Sequence, residues 1–115
     1  MSSLEEKLAQ LSQNYLDNLS GRMADLDSHW RCLTEAHRSD ALRDAMIVVH
    51  SLAGSARTFG FPEVSETARA LELALRELEE DGLILPLPSH KLDGLNALRE
   101  RLLSAVQEAQ TGGSR

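Results

Sequence analysis

Positions 50 to 60 of this 115-residue chain read HSLAGSARTFG, and the side chain there best suited to act as a nucleophile near neutral pH is His50. An unperturbed imidazole has a pKa of about 6.5, so much of it is neutral and competent to attack. Residues three, four and seven apart share a helix face, which puts Arg43, Ile47, His50, Gly54 and Arg57 in one column. Ser51, Ala53 and Ser55 keep the surface beside that column low. A glycine inside a helix costs about 1 kcal/mol relative to alanine, and Gly54 clears space for a macromolecule to come close to the imidazole. Tight helix–helix packing is the competing use of such a glycine. The chemistry that fits the column is phosphoryl transfer: the imidazole takes the group as a phosphoramidate, and guanidinium groups hold its oxygens by charge-assisted hydrogen bonds. Taken singly, Arg43 and Arg57 read as solvated surface charges. The sequence has no GxxxxGK loop and no carboxylate cluster suited to magnesium, so the phosphoryl donor and the metal must come from a partner.

The remaining candidates read as structural. His29, His37 and His90 have no metal-ligand spacing with His50 or with one another. Cys32 is the only cysteine, which excludes an internal disulfide and a cysteine metal knuckle. Glu77, Glu79, Glu80 and Asp81 read as the solvated end of a helix. The formal charge of −6 argues against nucleic acid as the main partner. No basic patch or apolar run suits a membrane, and the start MSSLEEKL is unlike a signal peptide, so the expected compartment is the cytoplasm.

Positioning this column falls to helices. Apolar residues make up 42% of the chain but aromatics only 3%, and the supply is mostly Leu and Ala, which favours an all-α domain. The first helix is expected from about Ser3 to Ala36, with Leu4, Leu8, Leu11, Tyr15, Leu19, Met23, Leu26, Trp30 and Leu33 as its inward stripe. Ser39 is the expected N-cap of a second helix over Asp40 to Phe59, with Leu42, Ala45, Met46, Val49, Leu52, Ala53 and Ala56 facing inward and Gly60 as its stop. Pro62 suits the first turn of a third helix that ends at Asp81-Gly82 and buries Val64, Ala68, Leu71, Leu75 and Leu78. LILPLP, from Leu83 to Pro88, is an expected extended connector, and Ser89 an expected cap for a fourth helix with Leu92, Leu95, Leu98, Leu102, Ala105 or Val106, and Ala109 inward. Short connections between amphipathic helices imply an antiparallel up-down four-helix bundle over residues 1–110, with 111–115 a disordered tail or linker stub.

The segment His50-Ser51-Leu52-Ala53-Gly54-Ser55-Ala56-Arg57-Thr58-Phe59-Gly60 resembles the motif of histidine phosphotransfer (HPt) domains, roughly His-x-Leu-Lys-Gly-[Ser/Ala]-[Ala/Ser]-x-x-[Leu/Phe]-Gly. The AxALE stretch from Ala68 to Glu72 is similar to the helix that follows this motif in the family. The resemblance implies a four-helix bundle that relays phosphoryl groups between receiver-domain aspartates in two-component signalling. By the same resemblance, His50 is the phosphorylated residue and Gly54 the close-approach glycine. Leu52 and Phe59 match scaffold positions, and Gly60 the helix-ending glycine. Partners would be response-regulator receivers and a hybrid sensor histidine kinase, with Mg2+ held by the receiver. The chain itself would be a phosphoryl carrier with no intrinsic cofactor, not an enzyme. One position departs: Ala53 stands where the family often has a phosphate-directed lysine, and Arg57 is the candidate to supply the missing charge. The alternative from another class is a non-catalytic helical adaptor or dimerisation module that binds through the same face.

Overall fold

The computed structural model describes residues 3–112, all four of whose regular elements are helical: α1 (Ser3–Thr34), α2 (Asp40–Thr58), α3 (Pro62–Glu80) and α4 (Ser89–Gly112). Each helix packs on its chain neighbours, and α1 closes the ring against α4. Cross-helix partners run in opposite directions along each pair. Tyr15 and Arg22 of α1 bond Ser55 and Ser51 of α2, and Trp30 and Leu16 of α1 are bonded by Asn96 and Gln110 of α4. The topology is therefore the antiparallel up-down bundle that the apolar spacing predicts. Its core holds Leu19, Leu26 and Leu33 from α1, Val49 and Leu52 from α2, Val64, Leu71 and Leu75 from α3, and Leu102 and Val106 from α4.

The helix ends follow local chemistry. After α2, Gly60 takes φ +83, the Phe61 N–H reaches the Ala56 carbonyl and the Gly60 N–H the Arg57 carbonyl. These are the two bonds of a Schellman stop, which glycine makes cheaply. Pro62 then opens α3, where its missing N–H costs nothing. The connector alternates as an extended chain should, with Leu83, Leu85 and Leu87 half-buried and Ile84, Pro86 and Pro88 exposed; the Leu85–Pro86 bond is cis.

Four expectations need correction. Ser39 sits at the N-cap of α2 with helical angles and makes no capping bond; the Arg38 and Ser39 carbonyls accept from Ala41 and Leu42 instead. Ser89 is the first residue of α4, and the Pro88 carbonyl takes the first amides, from Lys91 and Leu92. α4 continues through Thr111 and Gly112, with the Thr111 hydroxyl bonded to the Gln107 carbonyl; 113–115 lie outside the described residues. Finally, Leu4, Leu8 and Leu11 belong to the α1 stripe by spacing yet are exposed. The physical reason is length: α1 has 32 residues against 19 in α2 and α3, so its first turns run past the bundle end.

Candidate functional site

His50 occupies the outer face of α2, and its side chain is 74% exposed. Its Nδ1 lies 2.6 Å from Oε2 of Glu72 on α3, a carboxylate only 11% exposed. Arg76, one turn further along α3, donates to the same oxygen at 2.7 Å. A carboxylate only accepts hydrogen bonds, so Nδ1 carries the proton and the lone pair of the neutral ring sits on Nε2. The remaining nitrogen is thus set up as a nucleophile at the surface. Arg76 is the usual i,i+4 partner of a glutamate, and it balances the negative charge that Glu72 brings to the edge of the core.

Around this pair, Ser51 is half-buried, and its hydroxyl accepts a hydrogen bond from the Arg22 guanidinium of α1. Two guanidinium groups from two different helices are thus tied to residues next to His50, Arg76 through Glu72 and Arg22 through Ser51. Arg43 lies two turns before His50 in the column and pairs with Glu79 at 3.2 Å. Ile47 is exposed and lines the same open groove between α2 and α3 as Met46, His50, Ser51 and Arg76.

Gly54 is exposed, and a Cβ added to it would meet nothing within 4 Å. It therefore does not serve packing inside the bundle, and the competing reading of this glycine fails. Arg57 is exposed at the last turn of α2, two turns from His50, and its guanidinium makes no bond within the described residues.

Ala53 is the site candidate that the fold places elsewhere. It is buried against α3, and its carbonyl accepts a hydrogen bond from the buried Ser65 hydroxyl at 2.7 Å. It belongs to the inward stripe and seals the α2–α3 contact beneath the site rather than lining an approach path.

Arg43, Ile47, His50, Gly54 and Arg57 do form one exposed column. The sequence reading missed Glu72, Arg76 and Arg22. A signal existed for each: Glu72 interrupts the apolar stripe of α3 next to Leu71 and precedes Arg76 by four, and Arg22 sits among Leu19, Met23 and Leu26. Which of them meets His50 depends on the registers of α3 and α1 against α2, which no local spacing shows.

An exposed imidazole with one nitrogen bonded to a carboxylate and guanidinium groups nearby has the chemistry to accept and hold a phosphoryl group. The family model of the Hpt domain matches residues 3–111, which take in all of α1 to α3 and α4 up to its last residue, and the chain belongs to this family. Its members act in phosphotransfer within two-component phosphorelays and interact with receiver domains. No curated protein and no solved structure matches the chain. Among the described residues, no helix is long and apolar enough to cross a membrane.

Proposed function

We propose that His50 is the residue of this Hpt domain that carries the phosphoryl group. The observation behind this reading is the bond that fixes Nδ1 on Glu72 and leaves Nε2 exposed. In the transfer, the Nε2 lone pair attacks phosphorus of a receiver aspartyl phosphate, and the aspartate carboxylate leaves with the electrons of the P–O bond. The Nδ1 proton stays in its bond to Glu72, which steadies the positive charge that the ring develops. Passing the group on is the same step in reverse toward a second receiver. The partners are response-regulator receivers and a hybrid sensor kinase, and the magnesium belongs to the receiver. The chain acts as a carrier without its own nucleotide site.

Arg76 and Arg22 are the cations best placed to take up phosphoryl oxygens, since each already touches a residue beside the imidazole. They stand in for the lysine that position 53 lacks, with Arg57 further off along the column.

The test is incubation with a phosphorylated receiver, followed by a search for acid-labile, alkali-stable label. Label on the wild type and none on a folded His50→Gln variant is the expected result. Receiver binding that survives His50→Ala, with no label on either protein, would instead make the chain an adaptor. Single Arg22→Ala, Arg76→Ala and Arg57→Ala variants apportion the charge. Losing a guanidinium that contacts the phosphoryl group should slow transfer about tenfold, which is roughly one charge-assisted hydrogen bond, and Arg57→Ala should change the rate least.

A further inference from the structure

The start of α1 has no partner within the molecule. Every residue from Ser3 to Leu11 is exposed, and Leu4, Leu8 and Leu11 are 69%, 55% and 51% exposed. Cover begins at Tyr15, which stacks on Phe59 and Phe61 with ring centroids 4.6 and 5.8 Å away, and at Leu16, whose carbonyl accepts from Gln110. The molecule is accordingly drawn out, 56 Å long and 21 Å across. Leu4, Leu8, Leu11 and Tyr15 follow one another at four, three and four residues, the spacing of a two-stranded coiled-coil seam. The same stripe is buried by the bundle from Leu19 onward. A dozen helical residues are marginal alone in water, and a line of exposed leucines is a contact surface in search of cover.

We infer that this seam pairs with the same seam of a second copy, antiparallel about a two-fold axis, with the two bundles at opposite ends. In this register Leu8 meets the second copy's Leu11, and Leu4 reaches the second copy's Tyr15 at the edge of its aromatic cluster. The fit is self-complementary, because the distance from Leu4 to Tyr15 is the same in both chains. The charges agree. Beside the seam lie Glu5 and Ser12 on one flank and Lys7 and Asn14 on the other. Antiparallel pairing sets Glu5 against Ser12 and Lys7 against Asn14, so no like charges oppose one another. Parallel pairing would instead bring the two bundles against each other at the same end of the seam. A receiver is the poorer occupant: Ser51, next to His50, lies opposite Arg22, which is roughly 16 Å down α1 from Leu11 at about 1.5 Å per residue. The dimer leaves both His50 sites open. Three leucines and an aromatic edge per chain fall short of the roughly 1,200 Å² of a stable interface, so the pairing is weak and concentration-dependent.

Sedimentation equilibrium on the full chain tests this between about 10 μM and about 1 mM, the range of weak interfaces. The wild-type average mass should climb toward twice the monomer value, while a Leu8→Glu/Leu11→Glu variant stays monomeric with its melting temperature and His50 labelling unchanged. Both leucines are more than half exposed and outside the buried core, so the variant folds. In a Cys32→Ser background, mixed Leu8→Cys and Leu11→Cys chains should cross-link faster than either does with itself. A wild type that stays monomeric throughout would overturn the proposal, as would a dimer that survives the double glutamate variant or faster Leu8→Cys self-linking. A monomeric wild type whose receiver affinity falls in the glutamate variant would assign the seam to the receiver instead.

Discussion

At 2.6 Å the Glu72 carboxylate holds the Nδ1 proton of His50, and the choice of nucleophilic nitrogen rests on that one contact. Removing it in Glu72→Ala frees the ring to take the other tautomer and to turn. Transfer should slow by on the order of tenfold to a hundredfold, the range seen when a carboxylate behind a metal-bound histidine is lost. The nitrogen-15 shifts of His50 should show the Nδ1–H form in the wild type and a mixture in the variant, an effect that loss of packing alone would not produce. Glu72→Gln, which still offers an oxygen acceptor, should fall between. Gly54 allows a cleaner separation of fold from function, because a Cβ there enters open space. Gly54→Ala should raise stability in denaturant by about 0.5–1 kcal/mol, the helix-interior cost of glycine. Gly54→Leu should stay folded and lose transfer, as measured by receiver-dependent labelling. His50 and Gly54 were legible in the sequence because both belong to one helix and period 3.6 relates them. Glu72 was not, because its role depends on a contact 22 residues away in the chain.

Among the elements, the end of α2 and the start of α3 were readable, since Gly60 takes at little cost the positive φ that a helix stop needs and Pro62 fixes a φ suited to a first turn. The serine caps were not. Ser39 and Ser89 have backbone carbonyls beside them that already satisfy the first amides of α2 and α4, and a serine signals only that a cap is possible. The contact of α1 with the end of α2 carries a pH dependence of its own. Burial against Phe59 and Phe61 raises the Tyr15 pKa, more than its Ser55 hydrogen bond and the nearby Arg22 charge lower it. The unfolded phenol ionises first, near pH 10, so above that pH the unfolded state holds fewer protons than the folded one. Stability is then fully present below pH 10 and declines as pH rises toward the folded pKa. Tyr15 is the only tyrosine, so tyrosinate absorbance should titrate above the free phenol, and Tyr15→Phe should flatten the alkaline loss of melting temperature.

For the molecule as a whole, apolar spacing identifies the face of α1 but not how much of it the bundle can cover. Leu8 and Leu26, eighteen residues or five full turns apart, lie on one line of the helix, yet one is exposed and the other fully buried, because cover depends on the lengths of three other helices. This difference should appear directly in amide hydrogen exchange, which follows the local opening of each segment. In dilute solution, amides before Asn14 should exchange close to the rates of a free peptide. The slowest should be in α2 around Val49 to Ala56 and in α3 around Ala68 to Leu75, the most deeply buried pair. Deleting residues 1–11 should reduce helical ellipticity while leaving the melting temperature and His50 labelling in place, since residues 3–11 are all exposed. Raising the protein concentration should slow exchange before Asn14 and leave α2 and α3 unchanged, because pairing of the seam covers the first and cannot reach the second. Uniform protection along α1 at every concentration would mean that its first turns are held by the bundle itself.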